Sequence, residues 1–243
     1  MGECVSGMPA AHSLGAAMGE LARALQQEHA SEHATLEAVT AAAVEAVPGA
    51  EHAAISLVVR GRTVESRAAT DPLAERMDAI QTELGQGPCL DAVWEQESVH
   101  IPDMAAESRW PRFTATAAEA GIGAMLCFQL FVADGRLGAL NLYASQAGAF
   151  DEEARFTGLI FATHAAVAIT GARQEETLST ALANRDIIGQ AKGIVMERFH
   201  LDATRAFALL ARLSQAENIK LRDIATKLVA DVADSPAAPP GDD

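Results

Sequence analysis

Few side chains in this 243-residue chain stand where they could do chemistry. Cys89 lies in GQGPCL behind Gly85 and Gly87, at a helix start where a thiolate would be favoured. A redox or ligand role and a buried structural cysteine both fit that setting. Cys4, Cys89 and Cys127 form no CxxC pair, and their odd number argues for reduced thiols in a cytosolic protein rather than a disulfide framework. Cys127 alternates within an apolar run and reads as core. His29 and His33 are four residues apart, a spacing that suits a metal ion, yet no third ligand is evident and no metal is expected. His164, on an apolar segment, reads as a hydrogen-bonded core residue or a pocket wall. Serine, histidine and aspartate are present without the GxSxG elbow, and neither a P-loop nor GxGxxG occurs. The expectation is a protein that is not an enzyme.

The second chemically suggestive spacing is NRDIIGQAKGIVMERF, residues 184–199. At ~100° per residue, Ile187, Ile188, Ala191, Ile194, Val195 and Phe199 are expected on one broad apolar face. Arg185, Lys192, Met196, Gly189 and Gly193 are expected on the other, and Arg198 near the helix end must reach past the core to water. Each glycine costs a helix about 0.5–1 kcal/mol relative to alanine. Two of them on one stripe imply that a partner helix or a nucleic-acid backbone approaches there. Arg185 and Lys192, two turns apart, can offer donors to phosphates or bases.

Around these residues the pattern predicts the positioning elements. A helix is expected over 14–47, with Leu14, Met18, Leu21 and Leu25 and later Leu36, Val39, Val44 and Val47 at helical spacing. Strands AAISLVV and TVESRAAT follow, joined near Gly61. A helix starts at Asp71-Pro72, a short one follows the glycines of GQGPC, VHIPD is a brief strand, and a helix ends near Gly121. Two strands flank Asp134-Gly135, a strong hairpin signal. Asp151 caps a long helix with Glu152 and Glu153 in its first turn. Hairpins bracketed by helices imply an antiparallel sheet covered by helices. Farther on, Asp202 caps a helix with Ala203, Ala206, Leu210 and Leu213 as its buried stripe. A last helix repeats Leu221, Ile224, Ala225, Leu228 and Val232. Residues 173–186 lack proline and glycine, and Leu178, Leu182 and Arg185 suit a short coiled coil as well as a solvated helical linker.

The net charge of −15 sets the chain as a whole against nucleic acid and anionic membranes. The charge is uneven. Residues 1–180 carry 10 Lys and Arg against 24 Asp and Glu, and residues 181–232 carry 8 against 6. A small basic module attached to an acidic body accounts for that split. The apolar run FTGLIFATHAAVAITGA is broken by His164 and three threonines, so it reads as a buried helix rather than a membrane span. No signal peptide is expected at the N-terminus.

The run from VPGAEHAAISLVV to GQGPCLDAV, with ESRWPRF, GALNLYA and AFDEEARF, resembles a GAF sensory domain of the type found in actinobacterial two-module regulators. RDIIGQAKGIVMERFHLDATRAFALLARLSQAENIKLRDIATKLV resembles an ANTAR domain through the set Ala191, Lys192, Gly193, Met196, Ala206, Phe207, Ser214, Leu221, Arg222 and Ala225. Together they imply an α+β fold: a GAF domain, an antiparallel sheet of about six strands flanked by helices, then an all-α three-helix ANTAR domain. The expected organisation is an N-terminal segment (1–19), the GAF sensor (20–172), a helical or coiled-coil linker (173–184), the ANTAR module (185–232) and a disordered tail (233–243). ANTAR domains bind paired short RNA hairpins with six-nucleotide loops and act in transcription antitermination. The resemblance thus implies RNA contacts by Arg185, Gln190, Lys192, Gly193, Arg198 and Arg222; Arg198 and Arg222 also fit plain surface charges. It implies a cytoplasmic homodimer that touches RNA polymerase only through the nascent transcript, with no membrane partner. In the GAF part, Cys89, Trp94, Trp110 and Phe113 are the ligand or redox candidates, with aromatic core as the alternative for the last three. The small-molecule ligand itself is unknown. The strand AAISLVV runs into Arg60, so no phosphorylation receiver is expected. The other function class left open is a small-molecule or redox sensor that acts through protein partners without binding RNA.

Overall fold

The computed structural model describes residues 31–60, 63–132 and 135–233, with Gly15 and Gly19. Leu14, Met18, Leu21, Leu25, Cys4, His29, the turn residues Gly61 and Asp134 and the tail after residue 233 lie outside the described residues. The chain divides into two compact units, residues 1–174 and 175–243.

In the first unit α1 (Glu32–Ala46) starts at Ser31, whose side chain accepts a 3.2 Å bond from the Ala34 N–H. Leu36, Val39, Ala43 and Ala46 recur at helical spacing and are buried. The strands β1 (His52–Arg60) and β2 (Thr63–Ala69) pair antiparallel. Asp71 then caps α2 (Pro72–Leu84) through a 2.7 Å bond from the Leu73 N–H, with the proline in the first turn, where its missing N–H costs nothing. Gly85 ends α2 in the left-handed region. The short α3 (Pro88–Trp94), β3 (Ser98–Ile101), α4 (Pro111–Glu119), β4 (Ala124–Val132) and β5 (Gly135–Ala144) complete the sheet.

Every strand pairing is antiparallel, in the order β2-β1-β5-β4-β3. Among the described residues the sheet therefore has five strands, against the about six that the resemblance implied. At the sheet centre the backbones pack tightly: a Cβ on Gly138 would stand 2.0 Å from the Ser56 carbonyl oxygen, so glycine is what lets β5 lie against β1 there.

The period-2 rule sends alternate residues of β5 to opposite faces. Leu140 and Leu142 join Ile55, Leu57, Leu126, Phe128 and Leu130 under α1 and the start of a long helix, α5 (Glu152–Phe199). Asn141 and Tyr143 face the other way, toward α2, α3 and α4, where Met77, Cys89, Val93, Phe113 and Met125 pack. Both faces are covered, which is why β4 and β5 read as nearly unbroken apolar runs rather than alternating ones. Asp151 caps α5, accepting 2.8 Å from the Ala154 N–H. His164 does not reach the core: it is exposed on α5, with Nδ1 2.9 Å from the Ile160 carbonyl. The helix buries only one stripe, Phe161, Ala165, Ala168 and Ile169, and His164 falls beside it.

The second unit holds the remainder of α5, α6 (Ala203–Glu217) and α7 (Leu221–Ala233). Asp202 caps α6 by accepting 2.8 Å from the Arg205 N–H, and Asn218 ends it in the left-handed conformation. Ser214 then fastens the turn, its hydroxyl donating to the Ile219 carbonyl at 2.6 Å. The core is small: Ala191, Val195, Ala206, Leu210 and Ala225 are buried, with Ile187, Ile188, Met196, Leu201, Leu209, Leu221, Ile224, Leu228 and Val229 packed partly against them. Ala203, Leu213 and Val232, expected in the buried stripes, are exposed. They sit at or near helix ends, where three short helices leave no neighbour to cover them.

Candidate nucleic-acid interface and sensor core

The buried side of α5 in the second unit is narrow, centred on Ala191 and Val195. At ~100° per residue, Phe199, Lys192 and Arg185 lie within about 40° of one another on one flank of that stripe. Gln190 and Gly193 turn outward on the opposite side and are exposed. The expected two-sided division therefore needs correcting. Met196 packs against the module core rather than on the open side, and Phe199 is 57% exposed rather than buried. Lys192 is half-buried, so its methylene stem runs along the module while its charge reaches water. At Gly189 and Gly193 an added Cβ would meet nothing within 4 Å, so within this chain neither glycine is required by packing.

Among the described residues Arg185, Lys192 and Arg198 form no ion pair, and Arg185 and Arg198 are exposed. Arg222, at the start of α7, is also exposed but lies 3.0 Å from Asp223. An exposed pair of that kind is worth little and can be exchanged for an anion. The six candidates do not form one patch. Arg185 and Lys192 share a flank, Gln190 and Gly193 face away from it, Arg198 sits near the C-terminus of α5, and Arg222 is on another helix.

The interior of the sensory sheet holds a feature that the sequence reading missed. Asp78 is buried on α2, and four donors converge on its carboxylate: Ser56 Oγ at 2.5 Å, Tyr143 OH at 2.5 Å, Asn141 Nδ2 at 2.9 Å and Ser66 Oγ at 3.4 Å. Burial pushes its pKa up, and the donated hydrogen bonds oppose that rise. One turn on, the buried Gln81 accepts 2.8 Å from the Cys89 N–H through Oε1. A Cβ on Gly87 would stand 2.4 Å from the same Oε1, so glycine there is what lets the GQGPC loop close on α2. Gln81 Nε2 and Asn141 Oδ1 are buried without a partner. The available signal was Asn141 itself, a polar residue inside the apolar strand GALNLYA.

This setting fits the buried structural reading of Cys89. The thiol is buried, its pKa is pushed up to about 12 by desolvation and then by the Asp78 charge, and a thiolate is disfavoured. Cys127 is likewise buried with its pKa raised. Phe113 is core. Trp110 is buried, its indole N–H donating 3.1 Å to Asp91 Oδ2, and the Arg109 guanidinium stacks 4.4 Å from its ring centroid. Of the four candidates Trp94 borders a cavity, about 310 Å³, together with Val64, Thr82, Gly85, Leu90, Asp91 and Glu95. His33 pairs with Glu37 at 3.4 Å, and no group of three metal-ligating side chains occurs among the described residues. No helix among them is long and apolar enough to cross a membrane.

The GAF domain family matches residues 29–170 and the ANTAR domain family residues 176–229. No curated protein matches the sequence. Among solved structures, the GAF domain of a phosphoenolpyruvate-protein phosphotransferase from Coxiella burnetii is similar with a TM-score of 0.54 at 16% identity, over 70% of this chain and 99% of that one. Free methionine-R-sulfoxide reductase from Neisseria meningitidis, solved with its substrate, gives 0.55 at 18% identity, over 72% and 98%. The photosensory core module of the Stigmatella aurantiaca phytochrome gives 0.59 at 14% identity, over 88% and 46%. At these identities the likeness shows the fold alone. With more than half of its length matched, the chain belongs to the GAF domain family, and its C-terminal module is an ANTAR domain, so that one polypeptide joins a sensory domain to an RNA-binding module of transcription antitermination.

Proposed function

We propose that the chain is a cytoplasmic, homodimeric, non-enzymatic regulator of the GAF–ANTAR type that the sequence resembles in actinobacteria. Its ANTAR module binds two short hairpins with six-nucleotide loops in a nascent transcript and holds them against terminator formation. It thereby acts on RNA polymerase through the RNA. A signal received by the GAF domain sets the affinity. The observation that supports this reading best is the family match over residues 176–229, on a module whose Arg185, Lys192 and Arg198 are unpaired among the described residues. RNA loops present unstacked bases and phosphates together, which such a surface can read. Arg185, Gln190, Lys192, Gly193, Arg198 and Arg222 are the proposed RNA-facing residues. They do so in two groups: Arg185 and Lys192 bind phosphates, and the open backbone at Gly193 lets the RNA come close beside Gln190.

Leu178 and Leu182, 62% and 53% exposed on α5, support a homodimer through a short parallel coiled coil. Two modules held together would meet two hairpins and raise affinity through effective concentration. For the input signal, the cavity beside Trp94 favours a small molecule over a redox event at Cys89, whose buried thiol resists ionisation. Binding of the full chain to a paired hexaloop RNA and to duplex DNA of the same length, each over a salt series, tests the proposal. A clear preference for the RNA is expected. Equal affinity with the same salt slope rejects it.

A further inference from the structure

The ANTAR unit contains two aromatic residues between 175 and 233, Phe199 and Phe207, and neither is in its core. They are 57% and 47% exposed. The sensory unit buries Trp110, Phe113, Phe128, Tyr143, Phe150 and Phe161 in its core and leaves Phe131 and Phe156 exposed. Aromatic side chains carry the largest apolar payload available to a small core. A module whose core consists of alanine and aliphatic residues, with both its phenylalanines outside, forgoes that gain.

The local structure fixes both rings outward. His200 takes a left-handed conformation (φ 53), and the Leu201 N–H turns back to the Met196 carbonyl at 3.1 Å. In this helix stop Leu201 folds inward against the core, and Phe199, the last helical residue, stays outside. On α6, the i−4, i−3 and i+4 neighbours of Phe207 are Ala203, Thr204 and Ala211, too small to cover its ring, and the i+3 neighbour Leu210 is buried in the module core. The two phenylalanines thus bracket the turn at residues 200–202. Phe199 lies on the same flank of α5 as the cations Lys192 and Arg185, the three spaced two turns apart.

We infer that Phe199 and Phe207 are stacking platforms for unpaired RNA loop bases, with Lys192 and Arg185 holding the adjoining phosphates. The inference rests on the RNA-binding reading above and adds the residues that would discriminate a loop from a duplex. The charge balance selects the occupant. Residues 181–232 are the part of a −15 chain where Lys and Arg outnumber Asp and Glu, which suits a polyanion and opposes the same stretch of a second copy of this chain. Cation plus uncovered aromatic is the combination that single-stranded nucleic acid requires: phosphates are neutralised and a base finds a π face. A duplex keeps its bases stacked and gains only the first term.

The test uses the full chain and a paired hexaloop RNA carrying 2-aminopurine in turn at each loop position. Phe199→Leu and Phe207→Leu keep an apolar side chain but remove the ring; Phe199→Trp and Phe207→Trp keep a ring. Both positions are exposed, so thermal midpoints should stay near wild type and establish folding. Expected results are quenching of 2-aminopurine in at least one loop position by wild type, and affinity roughly tenfold or more weaker in each leucine variant, with quenching lost. The tryptophan variants should keep both signals, and duplex DNA binding should be unaffected throughout. Leucine variants that bind and quench like wild type overturn the stacking role and leave RNA binding standing. If wild type itself fails to prefer the RNA, the underlying reading falls. Weakened self-association in the leucine variants, with the affinity of each remaining dimer unchanged, assigns the rings to a copy-to-copy interface and also overturns the proposal.

Discussion

The two units of this chain solve packing in opposite ways. The GAF sheet buries both of its faces, fills each with large side chains such as Phe128 and Tyr143, and closes one of them around a carboxylate that accepts four hydrogen bonds. The ANTAR module has five buried residues, three of them alanine, and turns its phenylalanines and most of its cations to water. A five-stranded sheet with a helical layer on each side excludes water from many side chains at once. Three short helices exclude it from a narrow stripe only. The comparison teaches where function can lie: the sensor must act through its interior or its cavities, and the module through its surface.

The contrast can be broken most directly at Phe128, whose ring packs against Gly158 of α5, the helix that covers its face of the sheet. Phe128→Ala should destabilise the GAF unit by about 3–5 kcal/mol in chemical unfolding, through a cavity that the rigid sheet cannot close. A loss below ~1 kcal/mol would mean that this interior is loosely packed. Asp78→Ala should cost somewhat less, about 2–4 kcal/mol, because it strands buried donors on Ser56, Tyr143 and Asn141.

Asp78 also gives the interior a pH signature. Its folded pKa is raised above the ordinary 3.8, so between those two values the folded state holds more protons than the unfolded one. Stability contributed by this group therefore falls as pH rises from about 3.8 toward the raised value. Asp78→Asn should flatten that part of a stability-against-pH curve; an unchanged slope would show that the carboxyl titrates normally.

On the module side the effects should appear in binding before stability. Lys192→Ala with Arg222→Ala should weaken RNA binding by about tenfold and reduce the salt slope, with little change in unfolding. An unchanged affinity would favour a sensor that works through protein partners. The smallest stability effect is expected at Gly193→Ala. Open space surrounds this position, and alanine should stabilise the helix by about 0.5–1 kcal/mol. If RNA approaches the backbone there, the same change weakens binding, so a variant both firmer and poorer at binding would sharpen the contrast between the units.

Much of the framework was legible in the sequence because it is written in local codes. Asp71-Pro72, Asp151 and Asp202 each announce a helix start, and each side chain does accept a bond from a backbone N–H two or three residues on. The site was legible in part. Composition singled out the less acidic C-terminal stretch, and the 3.6-residue period placed Ala191 and Val195 inward. It misplaced Met196, Phe199 and Leu213, since periodicity states which residues share a side and not how much of that side a neighbour covers. His164 was misjudged for the same reason, since it lies beside a buried stripe instead of in it, and of the two readings of Cys89 the buried structural one fits a helix start sealed from water.

By itself the sequence determined the elements, their caps and turns, the charge difference between the two parts and the resemblance to two families, because each depends on residues near one another along the chain. Only the tertiary structure decided that Ser56, Asp78, Asn141 and Tyr143 meet, across as many as 65 positions in sequence, and that Phe199 and Phe207 are left outside. Burial and hydrogen-bond partnership are properties of space, set by which distant surfaces come to cover a side chain.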